Sequence, residues 1–230
     1  MEELLESLGN FKNAIFTNKI IKTDKKVYGL YTDDMKKIAK KMVNDNKLFF
    51  LDEIHNSYEE DMIHIFMLTF IKDYNLVKKY LQKTIPIINN WAMCDQLACN
   101  LKIVAKHKED FLLFVQNYKD SKKEYEVRFL LIILMRYYCD MDHINYIFSI
   151  IDECYKDYYY IKMAIAWLLC EAMIKFSSLT TSYIKKCKLD NWIINKAISK
   201  MNDSTRFSKE EKAFFKTLKR KGDNLDDKIR

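Results

Sequence analysis

A tryptophan and an aspartate lie four residues apart in the segment Asn90-Trp91-Ala92-Met93-Cys94-Asp95. Because an α-helix has 3.6 residues per turn, Trp91 and Asp95 share one face of a helix that contains them both. Asparagine is a good N-cap, so we expect this helix to begin at or just after Asn89 and Asn90. Asp95 then falls in the second turn, too far along to be a simple capping acid.

The carboxylate of Asp95 has two possible roles at this place in the helix. It could form an ion pair or a hydrogen bond with the next helix, and Arg128 is the candidate partner. It could instead take part in chemistry at a substrate that is anionic or that develops positive charge. The spacing alone leaves both roles open, since structural ion pairs perturb carboxylates as active sites do.

The elements that position these residues are predicted to be helices throughout. The chain of 230 residues contains 3 glycines and 1 proline, although tight turns rely on these two residue types. A β-rich fold is therefore excluded in practice, and so is a glycine-rich phosphate-binding loop or dinucleotide fingerprint. The composition predicts an all-α fold.

Charge and metal-binding residue types narrow the class of protein further. The formal net charge of +7 permits a polyanionic partner without requiring one. The 6 cysteines and 4 histidines show neither paired Cys-x-x-C spacing nor zinc-binding spacing. We therefore expect free thiols in a reducing compartment and no metal site.

Neither a signal peptide nor a membrane span is evident in the sequence. The N-terminus begins with the acidic segment Met-Glu-Glu-Leu-Leu-Glu and has no apolar signal core. The longest aliphatic run extends from Phe129 to Met135 between two arginines and is too short to cross a bilayer. We expect a soluble cytoplasmic protein without a membrane partner, and a monomer.

Helical segments recur with a constant period from residue 58 onwards. Their starts are predicted near Tyr58, Trp91, Glu124, Asp157 and Asp190, each 33 residues after the one before. The equivalent inward positions stay apolar and are Phe66, Cys99, Ile132, Ile165 and Ile198. A repeating helix pair of this length is typical of an α-α superhelix, a HEAT-like repeat solenoid, whereas the alternative is a non-repetitive helical bundle with accidental spacing.

Further helices are predicted on both sides of this region. They cover Glu2–Leu8, Phe11–Ile21, Asp33–Val43 with Thr32 as N-cap, a short helix near Leu48–Ile54, and, within the repeats, Tyr58–Phe70, Tyr74–Lys83, Trp91–His107 and Glu109–Tyr118. Ser208 and Glu211 match a capping box for a last helix. We expect a single repeat domain over residues 1–222 and a flexible tail over residues 223–230.

The repeat register predicts where the chemically interesting side chains lie. Asp95 and Arg128 each follow the start of their unit by four residues and should project in the same direction from neighbouring helices. Trp91 lies one turn before Asp95, and Trp167 lies on the corresponding helix of the repeat after Arg128. We therefore expect these four residues to converge on one surface, the concave face of the solenoid.

The order of these motifs resembles the DNA alkylation-repair family of HEAT-like-repeat glycosylases, the AlkD type. The matching pieces cover nearly the whole chain and are Tyr28-Gly29-Leu30-Tyr31-Thr32, Asn90-Trp91 with Cys94-Asp95, Glu126-Val127-Arg128-Phe129, the run from Tyr160 to Leu169, and Arg206-Phe207-Ser208-Lys209-Glu210. Each pattern alone is moderately specific, whereas the ordered set is specific for membership.

The resemblance implies binding of alkylated double-stranded DNA and hydrolysis of the N-glycosidic bond of N3- or N7-alkylated purines. It implies that Asp95 stabilises an oxocarbenium-like sugar and orients water, with Trp91 and Trp167 packed against the nucleotide. It also implies that Arg128, with Lys162 and Arg206, contacts DNA. Neither a metal nor an organic cofactor is implied.

Two departures separate this sequence from the family pattern. Active members have a pair of helices before the Tyr28-Gly29 region, one of which helps to clasp the lesion, and the short N-terminus here predicts that one is shortened or missing. Position 170 is a cysteine, where glycosylases of this type tend to have an arginine. Both departures make glycosylase activity a hypothesis to be tested.

Alternative interpretations remain for the residues and for the protein. Trp91 and Trp167 could be core residues, Arg128 could extend from the core to solvent, and Trp192 is interpreted as a packing residue. Besides a glycosylase, the chain could be a non-catalytic DNA- or RNA-binding solenoid that keeps the glycosylase fold. A protein-interaction scaffold is the third hypothesis, and it predicts an apolar or acidic concave face.

Overall fold

Helices account for the regular structure of the computed structural model, which describes residues 1–155 and 157–221. Within these residues the exception is an isolated bridge between Lys26 and Ser57. The prediction of an all-α helical-repeat fold is confirmed. The helices group into two compact units, Met1–Lys108 and Glu109–Arg230, which are described in turn.

The first unit is built around a buried helix. Its helices are α1 (Glu2–Leu8), α2 (Phe11–Ile21), α3 (Thr32–Asn44), α4 (Tyr58–Phe70), α5 (Tyr74–Thr84) and α6 (Trp91–Asn100). Ten residues of α4 are buried, and α4 contacts α3, α5 and α6. A capping box formed by Ser57 and Glu60 fixes the start of α4. Burial on several sides explains why the second half of α4, from Ile65 to Leu68, is continuously apolar.

The second unit is organised around its longest helix. Its helices are α7, which begins at the unit boundary (Lys108–Val115), α8 (Glu124–Ile133), α9 (Ile144–Cys154), α10 (Tyr159–Lys175), α11 (Ser177–Lys186), α12 (Asn191–Asp203) and α13 (Lys209–Thr217). The 17-residue helix α10 contacts α8, α11 and α12. The predicted capping box of Ser208 and Glu211 starts α13.

The repeat starts agree closely with the predicted period. Helices begin at Tyr58, Trp91, Glu124, Tyr159 and Asn191, so the last two start two residues and one residue after their predicted places. Of the equivalent inward positions, Phe66, Ile132, Ile165 and Ile198 are fully buried. Cys99 is half-buried instead, because it lies near the end of α6 on the helix face that remains accessible.

Several predicted helix boundaries were wrong for local reasons. The predicted helix Trp91–His107 ends at Asn100, and a 3-10 turn follows over Lys102–Lys106. The Asn100 amide donates a hydrogen bond to the carbonyl oxygen of Gln96 at 2.7 Å, and such local bonds compete with continuation of a helix. Leu101 then leaves the helical region with φ −78° and ψ 63°.

Three other predicted helices differ from the structure in helix type or by a residue at their ends. Glu109–Tyr118 is α7 followed by a 3-10 turn over Gln116–Tyr118, and the short helix near residue 48 is a 3-10 turn over Leu48–Asp52. Thr32 is the first residue of α3 instead of its N-cap, which is Tyr31 without a side-chain bond. The predicted tail over residues 223–230 and the boundary at 222 lie outside the described residues.

The N-terminal segment keeps both helices that were predicted before residue 28. Helix α1 is short, with seven residues, and α2 has eleven, so neither helix is missing. A buried carboxylate holds the following loop, since Glu59 accepts hydrogen bonds from the backbone N–H groups of Tyr28, Gly29 and Leu30 at 2.7–3.3 Å. Gly29 has φ +84°, and a Cβ there would lie 2.1 Å from the carbonyl oxygen of Asn10.

Candidate functional site

Helix α6 presents Trp91 and Asp95 on an accessible stripe. The Asn90 side chain accepts a hydrogen bond from the backbone N–H of Met93 at 3.0 Å, so the predicted N-cap is confirmed. The apolar residues Ala92, Met93, Cys94, Leu97 and Ala98 are buried. Trp91, Asp95 and Cys99, spaced four residues apart, are half-buried and lie along the other face.

The indole of Trp91 contacts the N-terminal segment within the first unit. Its Nε1–H donates a hydrogen bond of 3.4 Å to the carbonyl oxygen of Ile20, in the last turn of α2. Trp91 is thus fixed at the junction of α2 and α6 while part of its ring remains accessible. Helix α2 also exposes large apolar side chains, among them Phe11 at 80% and Phe16 at 59%.

Arg128 lies in the second unit and is 5% exposed. Its guanidinium donates a hydrogen bond of 2.7 Å to the carbonyl oxygen of Tyr160 and lies 5.8 Å from the centre of that ring. Glu124, one turn earlier on α8, accepts from the backbone N–H of Tyr160 at 2.6 Å and so caps α10, which has no side-chain cap of its own.

Lys162 lies among carboxylates and aromatic rings. It forms ion pairs with Asp157 and, at 3.4 Å, with Asp190. Burial lowers the pKa of Lys162, but the two carboxylates outweigh this effect and the pKa lies above its ordinary value. Its Nζ lies 5.9 Å from the ring centre of Trp192. Lys162 is therefore already neutralised by protein groups.

Trp167 and Arg206 occupy different environments in the second unit. Trp167 is half-buried in the middle of α10, so it is outside the fully buried core, as Trp91 is. Arg206 is exposed and forms an ion pair of 3.0 Å with Glu171. The predicted common surface contains two residues of the first unit, Trp91 and Asp95, and two of the second, Arg128 and Trp167. Their convergence stays a prediction.

Cys170 contributes no charge to this region. Burial raises the pKa of its thiol to about 11, so the side chain is neutral at physiological pH. The positive charges of Lys200 and Arg206 act on this thiol. Positive charge therefore acts at the position where the resemblance leads us to expect an arginine.

Lys200 is a candidate binding residue that the sequence reasoning missed. It is half-buried on α12, and burial lowers the pKa of its ammonium group, with further lowering by the charges of Lys196 and Arg128. The repeat register could have found it, because Lys200 follows Trp167 by the repeat length of 33 residues. Trp192, which was interpreted as a packing residue, lies about 6 Å from the Nζ atoms of Lys162 and Lys196, measured to its ring centre.

The described residues contain neither a metal-binding cluster nor a membrane-spanning helix. No group of three or more His, Cys, Asp or Glu side chains with a metal-binding arrangement occurs in residues 1–155 and 157–221. In the same residues, no helix has the length and apolar character needed to cross a membrane.

Comparison with known proteins gives the family. No curated protein matches the chain. The family model described as "DNA alkylation repair enzyme" matches residues 1–201. The all-helical structure of the chain is consistent with a HEAT-like member of this family. Because this match covers most of the 230 residues, the chain belongs to the DNA alkylation repair enzyme family.

Proposed function

We propose that this protein binds alkylated duplex DNA and hydrolyses the N-glycosidic bond of N3- or N7-alkylated purines. The observation that carries the proposal is the pair of Trp91 and Asp95 on the accessible stripe of α6, in a chain of the DNA alkylation repair family. The carboxylate and the aromatic ring lie one turn apart, and the ring is fixed by its bond to Ile20.

The chemistry requires little more than charge stabilisation and a positioned water. Alkylation at N3 or N7 places a positive charge on the purine, and cleavage of the bond to C1′ sends the bonding electron pair to the base, which leaves neutral. The sugar then carries oxocarbenium-like positive charge. The Asp95 carboxylate stabilises that charge and orients the water that attacks C1′ and then loses a proton. The face of Trp91 adds cation–π stabilisation.

The remaining elements supply DNA contacts in this proposal. The last turn of α2 contacts Trp91. The apolar side chains that α2 exposes are suited to packing against a nucleotide. In the second unit, Arg128 and Lys200 are cations near Trp167 along the repeat register and would hold phosphate groups. Arg206 would contact DNA at the cost of its ion pair with Glu171.

The test is release of N7-methylguanine and N3-methyladenine from methylated duplex DNA. Asp95→Asn keeps the size of the side chain but removes its charge, so we expect base release to fall by about 10²- to 10³-fold while DNA affinity is retained. Asp142→Asn, at an exposed aspartate outside the site, is the matched control and should leave release unchanged. Equal release by wild type and Asp95→Asn would contradict the assigned role.

A second candidate function is a non-catalytic nucleic-acid-binding protein with the same fold. The neutral, buried thiol of Cys170 favours it, because a cation is expected at that place in glycosylases of this type. This alternative predicts duplex binding without release of either base, under conditions in which a known alkylpurine glycosylase is active. It also predicts that Asp95→Asn changes neither property.

A further inference from the structure

A cleft in the first unit is lined by lysines and apolar side chains. It lies off the ends of α4 and α6, has a volume of about 360 Å³, and is referred to here as the lysine cleft. Its lining includes Lys72, Lys102, Lys106, His107, Phe70 and Ile103. Among the described residues, none of those that line it carries a carboxylate. The nearest acid in the sequence, Asp73, is occupied as the N-cap of α5 and accepts from the N–H of Leu76 at 2.9 Å.

The three lysines of the cleft retain their charge for an outside partner. In the described part of the chain, Lys72, Lys102 and Lys106 have no ion pair or hydrogen bond to another side chain, and all three are exposed. Most other lysines with resolved contacts bind a carboxylate, as Lys83 binds Asp52 at 2.6 Å. Three like charges around one cleft repel each other, and an anion placed among them relieves that repulsion.

The remaining lining suits a ligand that is larger than a bare ion. The ring of His107 stacks on Tyr74 with the ring centres 4.0 Å apart, which holds the imidazole at the rim of the cleft. Phe70 and Ile103 add an apolar wall. Ammonium and imidazole N–H donors beside apolar surface match the sugar–phosphate backbone of a nucleic acid, in which charged oxygens alternate with apolar sugar faces.

The alternative explanation is that the lysines stabilise the nearby carbonyl ends of α4 and α6. That effect acts in the last turn of a helix, whereas Lys102 and Lys106 belong to the 3-10 turn that follows α6, and Lys72 lies beyond the C-cap of α4. We infer that the lysine cleft binds a phosphate group of a DNA strand, as an anchor separate from Trp91 and Asp95.

The position of the cleft is compatible with one DNA strand that reaches both places. Trp91 is at one end of α6 and the cleft lies off the other, so about 15 Å of helix separates them. At about 3.4 Å of axis per phosphate in one strand, this separation corresponds to roughly four or five nucleotides. The inference rests on the DNA binding in the proposed function and is independent of base hydrolysis.

The first experiment tests the cleft with a small anion. Pyrophosphate is titrated into the full-length protein while the ring resonances of the four histidines are followed by NMR. We expect the His107 signals to shift, and the shift to disappear in the triple variant Lys72→Gln, Lys102→Gln, Lys106→Gln. The control triple Lys40→Gln, Lys122→Gln, Lys186→Gln removes the same charge from exposed sites and should keep the shift. No response in wild type overturns the inference.

The second experiment identifies the source of the phosphate. Affinity for unmodified duplex DNA is measured against salt concentration by fluorescence anisotropy. Each lost phosphate contact should lower the slope of log K against log salt by about one, so the cleft triple should lose about one and the control triple close to none. Equal losses in both triples, or a slope unchanged in the cleft triple, overturn DNA as the ligand and leave a free phosphate compound.

The experiments distinguish failure of the glycosylase proposal from failure of the phosphate anchor. Absence of base release together with a cleft-dependent salt slope would reject the glycosylase and retain the anchor. Base release that depends on Asp95, together with unchanged anion and DNA binding in the cleft triple, would reject the anchor and retain the glycosylase. Thermal unfolding of both triples shows whether any loss reflects folding, since lysines that merely stabilise helix ends would lower the melting temperature of the cleft triple alone.

Discussion

Lys200 combines partial burial with positive charge on several sides. In the free protein, burial and the charges of Lys196 and Arg128 hold the pKa of its ammonium group below the ordinary lysine value. A phosphate bound there would favour the charged form. DNA binding should therefore be coupled to protonation of Lys200 if this side chain contacts DNA.

The coupling gives a pH-dependent prediction. We expect the affinity of the wild type for duplex DNA to fall as pH rises through the lowered pKa of Lys200, by up to roughly tenfold, the worth of one charged hydrogen bond. Arginine stays charged at these pH values, so Lys200→Arg should bind with little change over the same range. Anisotropy titrations between pH 7.5 and 10 would measure both profiles, and identical profiles would exclude a contact by Lys200.

A buried pair of histidines lies elsewhere in the first unit. The rings of His55 and His64 are joined by a hydrogen bond of 2.9 Å, and His64 bonds to the hydroxyl of Thr84 at 2.8 Å. Burial lowers the pKa of His64 to about 4, with a further contribution from the charge on His55. In the unfolded chain the pKa returns to about 6.5. Between these values the unfolded state binds more protons.

The free energy of unfolding should therefore fall as pH drops from about 6.5 to 4. The two pKa values of His64 set an upper bound of roughly 3 kcal/mol for its contribution. Urea unfolding at several pH values should show this loss in wild type and a smaller one in His64→Gln. His107→Gln, at an exposed ring, is the control. If the free energy of unfolding changed equally with pH in the wild type and in both variants, His64 would not be the group responsible.

At the scale of the element, Glu59 on α4 organises the N-terminal segment. Its buried carboxylate binds three consecutive backbone N–H groups of the Tyr28–Leu30 loop. Asn13 on α2 donates to the carbonyl oxygens of Gly29 and Leu30 at 2.8 and 3.2 Å. This connection links α4 to α2, which in turn contacts Trp91. The position of Trp91 therefore depends on a carboxylate that is distant in sequence.

Glu59→Gln should destabilise the protein and loosen this segment. The amide loses the charge that strengthens three hydrogen bonds and turns an NH2 group toward N–H donors, at a cost of about 2–3 kcal/mol. Urea unfolding would measure the cost, and hydrogen exchange should speed up at residues 28–30 before it does in α4. Glu53→Gln, at an exposed glutamate, should have no such effect. Unchanged exchange at residues 28–30 would contradict the role of Glu59.

Helix type and order were predictable from the sequence, whereas several helix ends were not. The period of apolar residues placed α4, α6 and α8 at their starts, and the side chains of Ser57, Asn90 and Ser208 cap α4, α6 and α13. The end of α6 was missed because it depends on the side chain of Asn100 bonding back to Gln96, one of several conformations open to an asparagine.

At the scale of the whole molecule, the 33-residue period of the sequence predicts the fold class. Each helix pair has an apolar face that only a neighbouring pair can bury, so periodic sequence gives periodic packing. The near absence of glycine and proline argued against a β-rich fold. Family membership followed from motifs in the right order, and the family match over residues 1–201 confirmed it.

The sequence by itself determined the all-α repeat, the family and the shared helix face of Trp91 and Asp95, because these depend on spacing along one helix or on order along the chain. Tertiary structure alone decided which charges are already satisfied. Arg128 bonds to Tyr160 and Lys162 to two aspartates, whereas the lysines of the cleft remain unpaired in the described residues. The reason is physical: a charge is neutralised by groups that folding brings near, and those groups lie up to tens of residues away in the chain.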